Sequence, residues 1–467
     1  MGCTSNNATP ACPAIAPGAE GIDARRTAER LVARHGPGGM HPRVRGLVPA
    51  FDAPFFQAGL AGYSDAAMRI IARRHGCPWC VTEALLDRTL LAGGRGFAKA
   101  DLGELHDNVP GGEEDTPLAG QIMGSDPAEM AAAALKMVEQ RRRHERDYRR
   151  LAYGERHPGT QASRHHAEEL PVQHLRLPGG EQLGRYDPEA GLAYADDRFD
   201  ALPSMPCCLD PSMPSRSFAA IDVNLACPVK KISSKARGGH WLAEPAGAIE
   251  ILEAVREAVP ADVLCTVKLR RSFDDTPEMA EACGRILDAA YSMGYAWATV
   301  HARTVEQKYV GPSRWDTLRG VVARVRRDDP DRPIFGSGDV WEAGDIFRMI
   351  EYTGVTGASV ARGCIGNPWI FRQARDLLAG REPRTPTIVE QRRVLEDHFA
   401  LALAVNAGCR KPEVFTGRVM RKFGIRFAEH HPRAEEVRQR FTRIASLADW
   451  REVLDEFYAF ELANAPD

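Results

Sequence analysis

The sequence has no apolar run of about 18 or more residues, the length that a helix needs to cross a bilayer. We therefore expect no membrane-spanning helix and no membrane partner. Residues 1–21 also lack the apolar core of a signal peptide, and we expect them to form a disordered tail.

Disulfide-type spacing is absent as well, although the chain has 11 cysteines. This pattern is typical of reduced thiols and predicts a cytoplasmic protein. The net charge is only −2, so the chain as a whole is neither basic nor acidic. Residues 410–443, however, hold ten Lys or Arg against four Glu. This stretch indicates either a patch that binds nucleic acid or a solvated helix face.

What the sequence does contain is an alternation of short apolar runs with longer amphipathic stretches, from about residue 53 to 378. The pattern predicts eight strands, at 55–58, 80–82, 118–122, 220–224, 264–268, 298–301, 334–336 and 357–361. It predicts helices between them, at 65–75, 127–140, 246–258, 277–293, 342–352 and 368–378. Eight strands alternating with helices predict an α/β fold, the (β/α)8 TIM barrel. A doubly wound sheet is the alternative.

The chain divides into three predicted parts. Residues 1–50 form a partly disordered tail with a short helix, 51–380 form the barrel, and 385–467 form a helical domain. Residues 141–216 are a long polar insertion within the barrel, which we expect to be partly disordered. Its histidines and cysteines lack the spacing of metal ligands, so we expect no metal site.

Barrel active sites form where the strands end, at the carboxyl face. The chemically capable side chains at or just beyond the ends of the predicted strands are Gln121, Asn224, Cys227, Lys268, Arg270, His301 and Arg303. Any one of these residues also fits a structural role: Lys268 in an ion pair, His301 as a core histidine, or Cys227 as a small buried side chain. Their common position at strand ends favours a functional site.

The loops after the last two strands, 336–339 and 361–363, carry glycines. Such loops bind phosphate in many barrels because their bare N–H groups point at the anion, and Arg362 adds a charged contact. A simple turn is the structural alternative. Phosphate at one end of the site and the donors Gln121, Lys268 and His301 at the other predict a bound flavin mononucleotide, FMN.

Several segments together resemble the tRNA-dihydrouridine synthases, flavoenzymes that reduce uridine in RNA. The matching segments are 58–69, 81–85, 121–127, 222–231, 266–270, 300–315, 336–340 and 361–371. They include "CPVKK" and "VHARTVEQKYVGPSRW" and follow the family's order over roughly 53–378. Weaker similarity at 420–438 looks like the family's helical RNA-binding domain.

The resemblance implies roles for individual residues. It implies that Cys227 is the catalytic acid and that Asn224 and Arg270 lie near the substrate uracil. The FMN contacts that it implies are Gly59, Leu60, Ala61, Gln121, Lys268, His301, Ser337, Gly338, Asp339, Ala361 and Arg362. The chain departs from the family pattern at Gly59-Leu60 (usually Pro-Met), Ser337 (usually Asn), and Ala226 and Ala302 (usually Gly). These departures bear on substrate choice more than on flavin binding.

The expected reaction is reduction of the uridine C5–C6 bond, with hydride from reduced FMN and a proton from Cys227. The partner is expected to be tRNA, with ribosomal RNA as an alternative, bound by a monomer. Further substrate contacts are predicted at Lys231, Arg303, Arg421 and Lys422. NADPH or NADH is the expected reductant and acts directly on the flavin, because no dinucleotide-binding glycine motif is present.

Two other functions remain open. One is a small-molecule FMN oxidoreductase of the dihydropyrimidine or dihydroorotate type, which would not need the basic helical region. The other is a non-catalytic RNA-binding relative. The role of insertion 141–216 is open too: it either lines the RNA channel or indicates a different RNA target.

Overall fold

The computed structural model describes residues 18–91, 113–139, 218–228, 238–407 and 409–459, and the backbone of three short strands between 173 and 194. Most of the predicted insertion 141–216 lies outside the described residues. So does Lys231, a predicted substrate contact.

All eight predicted barrel strands form. The strands, in chain order, are β1 Phe55–Gln57, β2 Cys80–Val81, β3 Leu85–Leu86, β4 Leu118–Met123, β5 Gln173–Arg176, β6 Gln182–Asp187, β7 Leu192–Tyr194, β8 Ala220–Leu225, β9 Leu264–Arg270, β10 Trp297–His301, β11 Ile334–Ser337 and β12 Gly357–Val360. The short strand β3 pairs with the end of β4. The eight barrel strands follow the order β2-β1-β12-β11-β10-β9-β8-β4, every pair is parallel, and β2 pairs again with β4. The sheet therefore closes into an eight-stranded barrel, which confirms the TIM barrel and excludes the doubly wound alternative. Strands β5–β7 form a separate antiparallel sheet.

Helices surround the barrel and continue beyond it. They are α1 Ala24–His35, α2 Pro42–Leu47, α3 Ala66–Arg74, α4 Asp87–Leu91, α5 Pro127–Glu139, α6 Pro245–Ala258, α7 Pro277–Ser292, α8 Trp315–Val325, α9 Ala343–Thr353, α10 Trp369–Leu378, α11 Ile388–Val405, α12 Pro412–Phe427, α13 Ala434–Thr442 and α14 Leu447–Phe457. None of the helices in the described ranges is both long and apolar enough to span a membrane.

Local sequence explains most helix starts. Asp65 caps α3 by accepting a hydrogen bond from the Met68 N–H at 2.9 Å, and Thr387 caps α11 with a capping box. Proline occupies the first position of α6, α7 and α12, where its missing N–H costs nothing. Helix α8, which begins after Arg314 with no side-chain cap, is not among the predicted helices.

Aromatic side chains fill the barrel interior at the amino ends of the strands. Phe51 stacks on Trp79 with ring centroids 5.5 Å apart and on Phe335 at 5.6 Å, while Trp297 packs edge-on against Trp79. Val44 of α2 joins the same buried cluster. The chain before β1 thus closes the amino end of the barrel with apolar contacts.

Towards the carboxyl ends the interior becomes polar. Side chains alternate along a strand, so Asp222 and Asn224 of β8 share the inner face, and Ile221 and Val223 belong to the apolar core between strands and helices. Asn224 pairs in register with Lys268 of β9. The polar rows of neighbouring strands therefore meet inside the upper half of the barrel.

Helices α11–α14 pack around Phe399, Phe441 and Trp450, with the Phe441 and Trp450 ring centroids 5.0 Å apart. They contact the barrel at Phe427, whose ring lies 5.6 Å from that of Trp369 in α10. The helical content of this region agrees with the expectation from sequence. Its status as a separate domain at 385–467, like the boundaries 1–50 and 51–380, stays a prediction.

Candidate active site

Cys227 lies just beyond β8, and the main chain around it is held at several points. The Asn224 side-chain oxygen accepts hydrogen bonds from the N–H groups of Ala226 at 2.9 Å and Cys227 at 3.2 Å. The Cys227 carbonyl accepts from the Gly239 N–H at 2.8 Å. An amide three residues before a cysteine therefore forms an Asx-type turn that fixes where the thiol stands. The cysteine itself is only partly buried.

A network of buried side chains lies beneath this turn. Asp222 accepts hydrogen bonds from Gln121 Nε2 and from Thr266 Oγ1, both at 2.6 Å, and Asn224 Nδ2 donates to Gln121 Oε1 at 2.7 Å. Burial raises the pKa of Asp222, and the two side-chain hydrogen bonds oppose that rise. Asp222 and Thr266 were missed in the sequence analysis. The positions of Asp222 and Asn224, two apart on one strand, would have placed both on the same face.

Lys268 is half-buried and lines a small cavity together with Gln121, Asp222 and Thr266 of this network. Burial and then the positive charge of Arg270 lower its pKa, Asp222 and Cys227 oppose them, and the resulting pKa is about 8. The ammonium group is therefore charged at neutral pH but close to losing its proton. This cavity lies between the network and the aromatic cluster, and its lining includes Trp79, Asp222 and Ser359.

His301 ends β10 and is neutral. Burial holds its pKa well below the ordinary value, and the positive charges of Lys268, Arg270, Arg303 and Arg362 lower it further. Its Nδ1 accepts a hydrogen bond from the Arg303 N–H at 3.1 Å, which leaves Nε2 to carry the ring hydrogen. His301 is thus a neutral N–H donor in a positively charged surrounding.

The loops after β11 and β12 meet at Asp339. Its carboxylate accepts from Arg303 at 2.6 Å, from the Ser313 N–H at 2.7 Å and from Arg362 at 3.3 Å. Gly338 has φ +114°, and a side chain there would run into Ser313 Oγ at 2.1 Å. The predicted phosphate loop therefore requires glycine at this position, and Asp339 holds Arg362 beside it.

The loop after β1 is equally tight. A Cβ atom on Gly59 would lie 2.2 Å from the Thr82 carbonyl oxygen, so this departure from the family pattern accompanies a close approach of two main chains. The Gly62 N–H donates to Glu83 Oε2 at 2.7 Å, and the Leu60 N–H donates to Ser64 Oγ at 2.8 Å. Glu83 also escaped the sequence analysis, although it lies in the segment 81–85 that carries the resemblance.

These features fit the predicted flavin mononucleotide. Within the described residues, the buried polar atoms near the two phosphate-type loops that have no hydrogen-bond partner include Arg303 NH1, Ser313 Oγ and Ser359 Oγ. These atoms are available to bind a polar ligand. Among the described residues, the charged groups at this mouth include the cations Lys268, Arg270, Arg303 and Arg362 and the anions Glu83, Asp222 and Asp339. The four cations that surround His301 suit a bound phosphate.

Some predicted substrate contacts already have partners within the chain. Arg270, almost fully buried, donates from Nε to the Ala226 carbonyl at 2.9 Å and from NH1 to the Thr304 and Lys308 carbonyls at 2.7 Å. Arg421 binds the Ile444 carbonyl at the end of α13. The structure does not bring Arg421 or Lys422 into the cluster around Cys227, and their contacts with substrate stay predictions.

The fold and site define a TIM-barrel protein with a positively charged, polar carboxyl face and a cysteine held at its rim. The family model for "Dihydrouridine synthase (Dus)" matches residues 213–462, which is more than half of the chain. The chain belongs to the dihydrouridine synthase family.

Individual relatives agree. A "Probable tRNA-dihydrouridine synthase" of Treponema pallidum is 32% identical over 249 residues, 53% of this chain and 69% of that protein. A "tRNA-dihydrouridine synthase B" of Pseudomonas aeruginosa is 26% identical over 83% of this chain and 87% of its own length. A "Probable tRNA-dihydrouridine synthase" of Mycobacterium tuberculosis is 33% identical over 187 residues, which are 39% of this chain and 46% of that protein. The chain thus spans about half the length of that relative. A solved structure described as "Crystal structure of TcOYE with pHBA" has a TM-score of 0.36 at 12% identity, which is too weak to support an argument.

Proposed function

We propose that this chain reduces the C5–C6 bond of specific uridines in tRNA to 5,6-dihydrouridine, using bound FMN and with Cys227 as the proton donor. The observation that carries the proposal is the position of Cys227, whose main chain is fixed on both sides at the mouth of a cation-rich pocket. The family match and the names of the relatives support the choice of reaction and substrate.

The residues that hold the flavin are those at the strand ends. The loops at 337–339 and 361–362 and the Arg362 guanidinium would hold its phosphate, and Gln121, Lys268 and His301 would be the donors to its ring. Gly59, Leu60 and Ala61 form the side of the pocket that must stay free of bulk. When bound and reduced, the flavin supplies a hydride to C6 of the base.

Addition of hydride at C6 builds negative charge through C4=O of the uracil ring. Lys268, charged at neutral pH, and the neutral N–H of His301 stabilise that charge. Cys227 then donates its thiol proton to C5, which completes the saturated bond. A thiol is suited to this step because its ordinary pKa, near roughly 8.5, leaves it mostly protonated at neutral pH. Asn224 and Arg270 hold the cysteine turn in place from below.

The RNA is held outside the pocket. A stacked uridine does not reach the barrel mouth, so it must be turned out of the RNA. On α12 and its flanks, Lys411, Phe415 and Arg418 are exposed at spacings that place them on one face. This face suits contacts with phosphates and with an unstacked base. Arg433, Arg438 and Arg440 are instead each paired with a glutamate, so their charges are already offset within the chain. NADPH or NADH is the proposed reductant, and the protein acts as a cytoplasmic monomer.

The test uses the purified chain, FMN, NADPH and tRNA transcribed without modifications. Dihydrouridine is measured by nucleoside mass spectrometry. The wild type should form dihydrouridine, and Cys227→Ala should keep the flavin absorbance while losing the product. Charge reversal by Lys411→Glu and Arg418→Glu should weaken RNA binding. The slope of the logarithm of the binding constant against the logarithm of the salt concentration should become shallower by roughly 0.7 to 0.9 for each lost phosphate contact.

A matched charge reversal on the same helical region, Arg433→Glu, serves as the control, because Arg433 is already paired with Glu436. Two results together would overturn the proposal in favour of a small-molecule oxidoreductase: no dihydrouridine formed in tRNA, and turnover of free dihydropyrimidines that is unchanged by Lys411→Glu and Arg418→Glu.

A further inference from the structure

Helix α12 lies directly on the loop that follows β1, next to the pocket proposed for the flavin. The Lys422 ammonium donates a hydrogen bond to the Gly62 carbonyl and lies 4.7 Å from the centre of the Tyr63 ring. Phe423 meets the same tyrosine edge-on at 5.6 Å between ring centroids. A lysine from the basic region thus faces inward, onto the chain segment that carries Gly59, Leu60 and Ala61.

The same helix touches a second loop of the mouth. Gly366, just after the proposed phosphate residues at 361–362, has φ +69°, and a Cβ there would lie 2.5 Å from Arg426 Cβ and 2.7 Å from the Phe427 N. Strands β1 and β12 are neighbours in the barrel, so α12 spans two adjacent loops of the pocket. The close approach leaves no room between the helix backbone and the second loop.

A third contact fixes the far end of the β1 connection. Helix α3, which follows the loop, packs against α11, and Arg74 of α3 lies 3.3 Å from Asp397 of α11. The helical region therefore holds the segment from Gly62 to Arg74 at both ends. On the barrel side the same loop is held by the Glu83 and Ser64 hydrogen bonds described above and by Arg69 of α3, which donates to the Ser64 carbonyl at 2.7 Å.

We infer that Lys422 is a positioning residue for the cofactor pocket: through Gly62 and Tyr63 it fixes the loop after β1 in the shape that accepts the flavin. The inference rests on the proposed function for the identity of the cofactor. It also changes how the region 385–467 is understood, because part of its basic sequence acts on the flavin pocket and not on RNA. Removing 385–467 would then weaken flavin binding as well as RNA binding, so a loss of activity in such a deletion would not distinguish an RNA enzyme from a small-molecule enzyme.

The experiment compares the full-length wild type with Lys422→Met, which keeps much of the apolar stem and removes the ammonium group. Arg433→Met is the matched control, since Arg433 also stacks on an aromatic ring, that of Phe457 at 4.7 Å, but far along the helical region. Amide hydrogen exchange of residues 59–65 is measured without cofactor, and FMN affinity is measured by flavin fluorescence.

Lys422→Met should speed exchange at 59–65 and weaken FMN binding by about three- to tenfold, because a charge-assisted hydrogen bond to the loop is lost. Arg433→Met should change neither quantity. Tyr63→Leu, which removes the ring under the ammonium group, should shift both in the same direction as Lys422→Met.

Wild-type exchange and FMN affinity in Lys422→Met would overturn the inference and leave the proposed function standing. Faster exchange with unchanged FMN affinity would also overturn it, since the loop would then move without consequence for the cofactor. If the wild type itself binds no FMN, the proposed function fails, and the inferred coupling to the cofactor fails with it.

Discussion

The two ends of the barrel are built from the same strands and differ almost completely in chemistry. At the amino end, Phe51, Trp79, Trp297 and Phe335 pack ring against ring. At the carboxyl end, Gln121, Asp222, Asn224 and Thr266 form a buried polar network near Lys268, and several buried polar atoms lack a partner.

Two residues of β10 illustrate the change from apolar to polar chemistry along one strand. Trp297 belongs to the aromatic cluster, and His301, four residues later, is a neutral donor at the mouth. The comparison indicates that stability is concentrated at the closed end, which allows the open end to keep groups that are costly to bury. Substitutions at the two ends should therefore affect different measurements.

The largest effect is expected for Cys227→Ala. It should lower the rate of dihydrouridine formation by about 100-fold or more, because the positioned acid is lost, and it should leave the unfolding midpoint close to that of the wild type. Single-turnover kinetics with tRNA and thermal unfolding measure the two quantities. A large loss of stability with little loss of rate would assign Cys227 to the core.

Trp297→Ala tests the opposite end. The side chain is buried against three other aromatic rings, so its truncation should lower the free energy of unfolding by about 3 to 5 kcal/mol. The rate per folded molecule should stay close to the wild-type rate. Urea unfolding gives the free energy, and Trp297→Phe, which keeps a ring, should lose less. A lower rate in Trp297→Phe with unchanged stability would contradict the claim that the amino end of the barrel serves stability and the carboxyl end serves activity.

Asp222→Asn tests the electrostatics of the carboxyl end. Lys268 offsets negative charge on the cofactor only when protonated, so FMN affinity should fall as the pH rises through about 8. Asp222 raises the pKa of Lys268, so its neutralisation should move that fall to lower pH. Flavin fluorescence titrations between pH 6 and 9 would check this. An unmoved midpoint would show that Lys268 does not control the pH dependence.

The free energy of unfolding should change with pH in the opposite direction to the FMN affinity. Because burial places the pKa of Lys268 below its ordinary value of 10.5, the unfolded chain binds more protons between about pH 8 and that value. The contribution of Lys268 to the free energy of unfolding should therefore rise with pH across this window. Lys268→Met should remove this rise in denaturant unfolding at pH 8 and 10.

The smallest effect is expected for Ser359→Ala. Ser359 Oγ is buried without a partner, so its removal should leave the free energy of unfolding unchanged or raise it by up to about 1 kcal/mol. FMN affinity should fall slightly, because a polar atom of the pocket is lost. Chemical unfolding without cofactor, alongside fluorescence titration, would check both. A clear loss of stability would mean that Ser359 is already satisfied in the folded protein.

Sequence reasoning located the barrel well because alternation and apolar periodicity mark strands directly. It singled out Asn224 and Cys227 because they lie at the end of β8 and just beyond it, and in the structure Asn224 holds the cysteine turn. Their roles in the reaction stay predictions. Helix α8 was missed, and capping does not explain why, because the predicted helix α10 also begins without a side-chain cap.

Contacts between distant segments were beyond the reach of pattern reasoning. Lys422 belongs by sequence to a basic stretch, and only the packing of α12 shows that it faces Gly62. Arg270 likewise is predicted as a substrate contact from its position at a strand end. In the structure its guanidinium donates hydrogen bonds to main-chain carbonyls of two loops. Such assignments depend on which loops meet at the mouth, and the local sequence does not encode that.

The most direct test is nucleotide-resolution dihydrouridine mapping of total RNA from cells that lack this gene, complemented with the wild type or with Cys227→Ala. The account predicts that one or more dihydrouridine positions in tRNA disappear, return with the wild type and stay absent with Cys227→Ala. Full restoration by Cys227→Ala would contradict it, because the thiol at the end of β8 would then not be the proton donor.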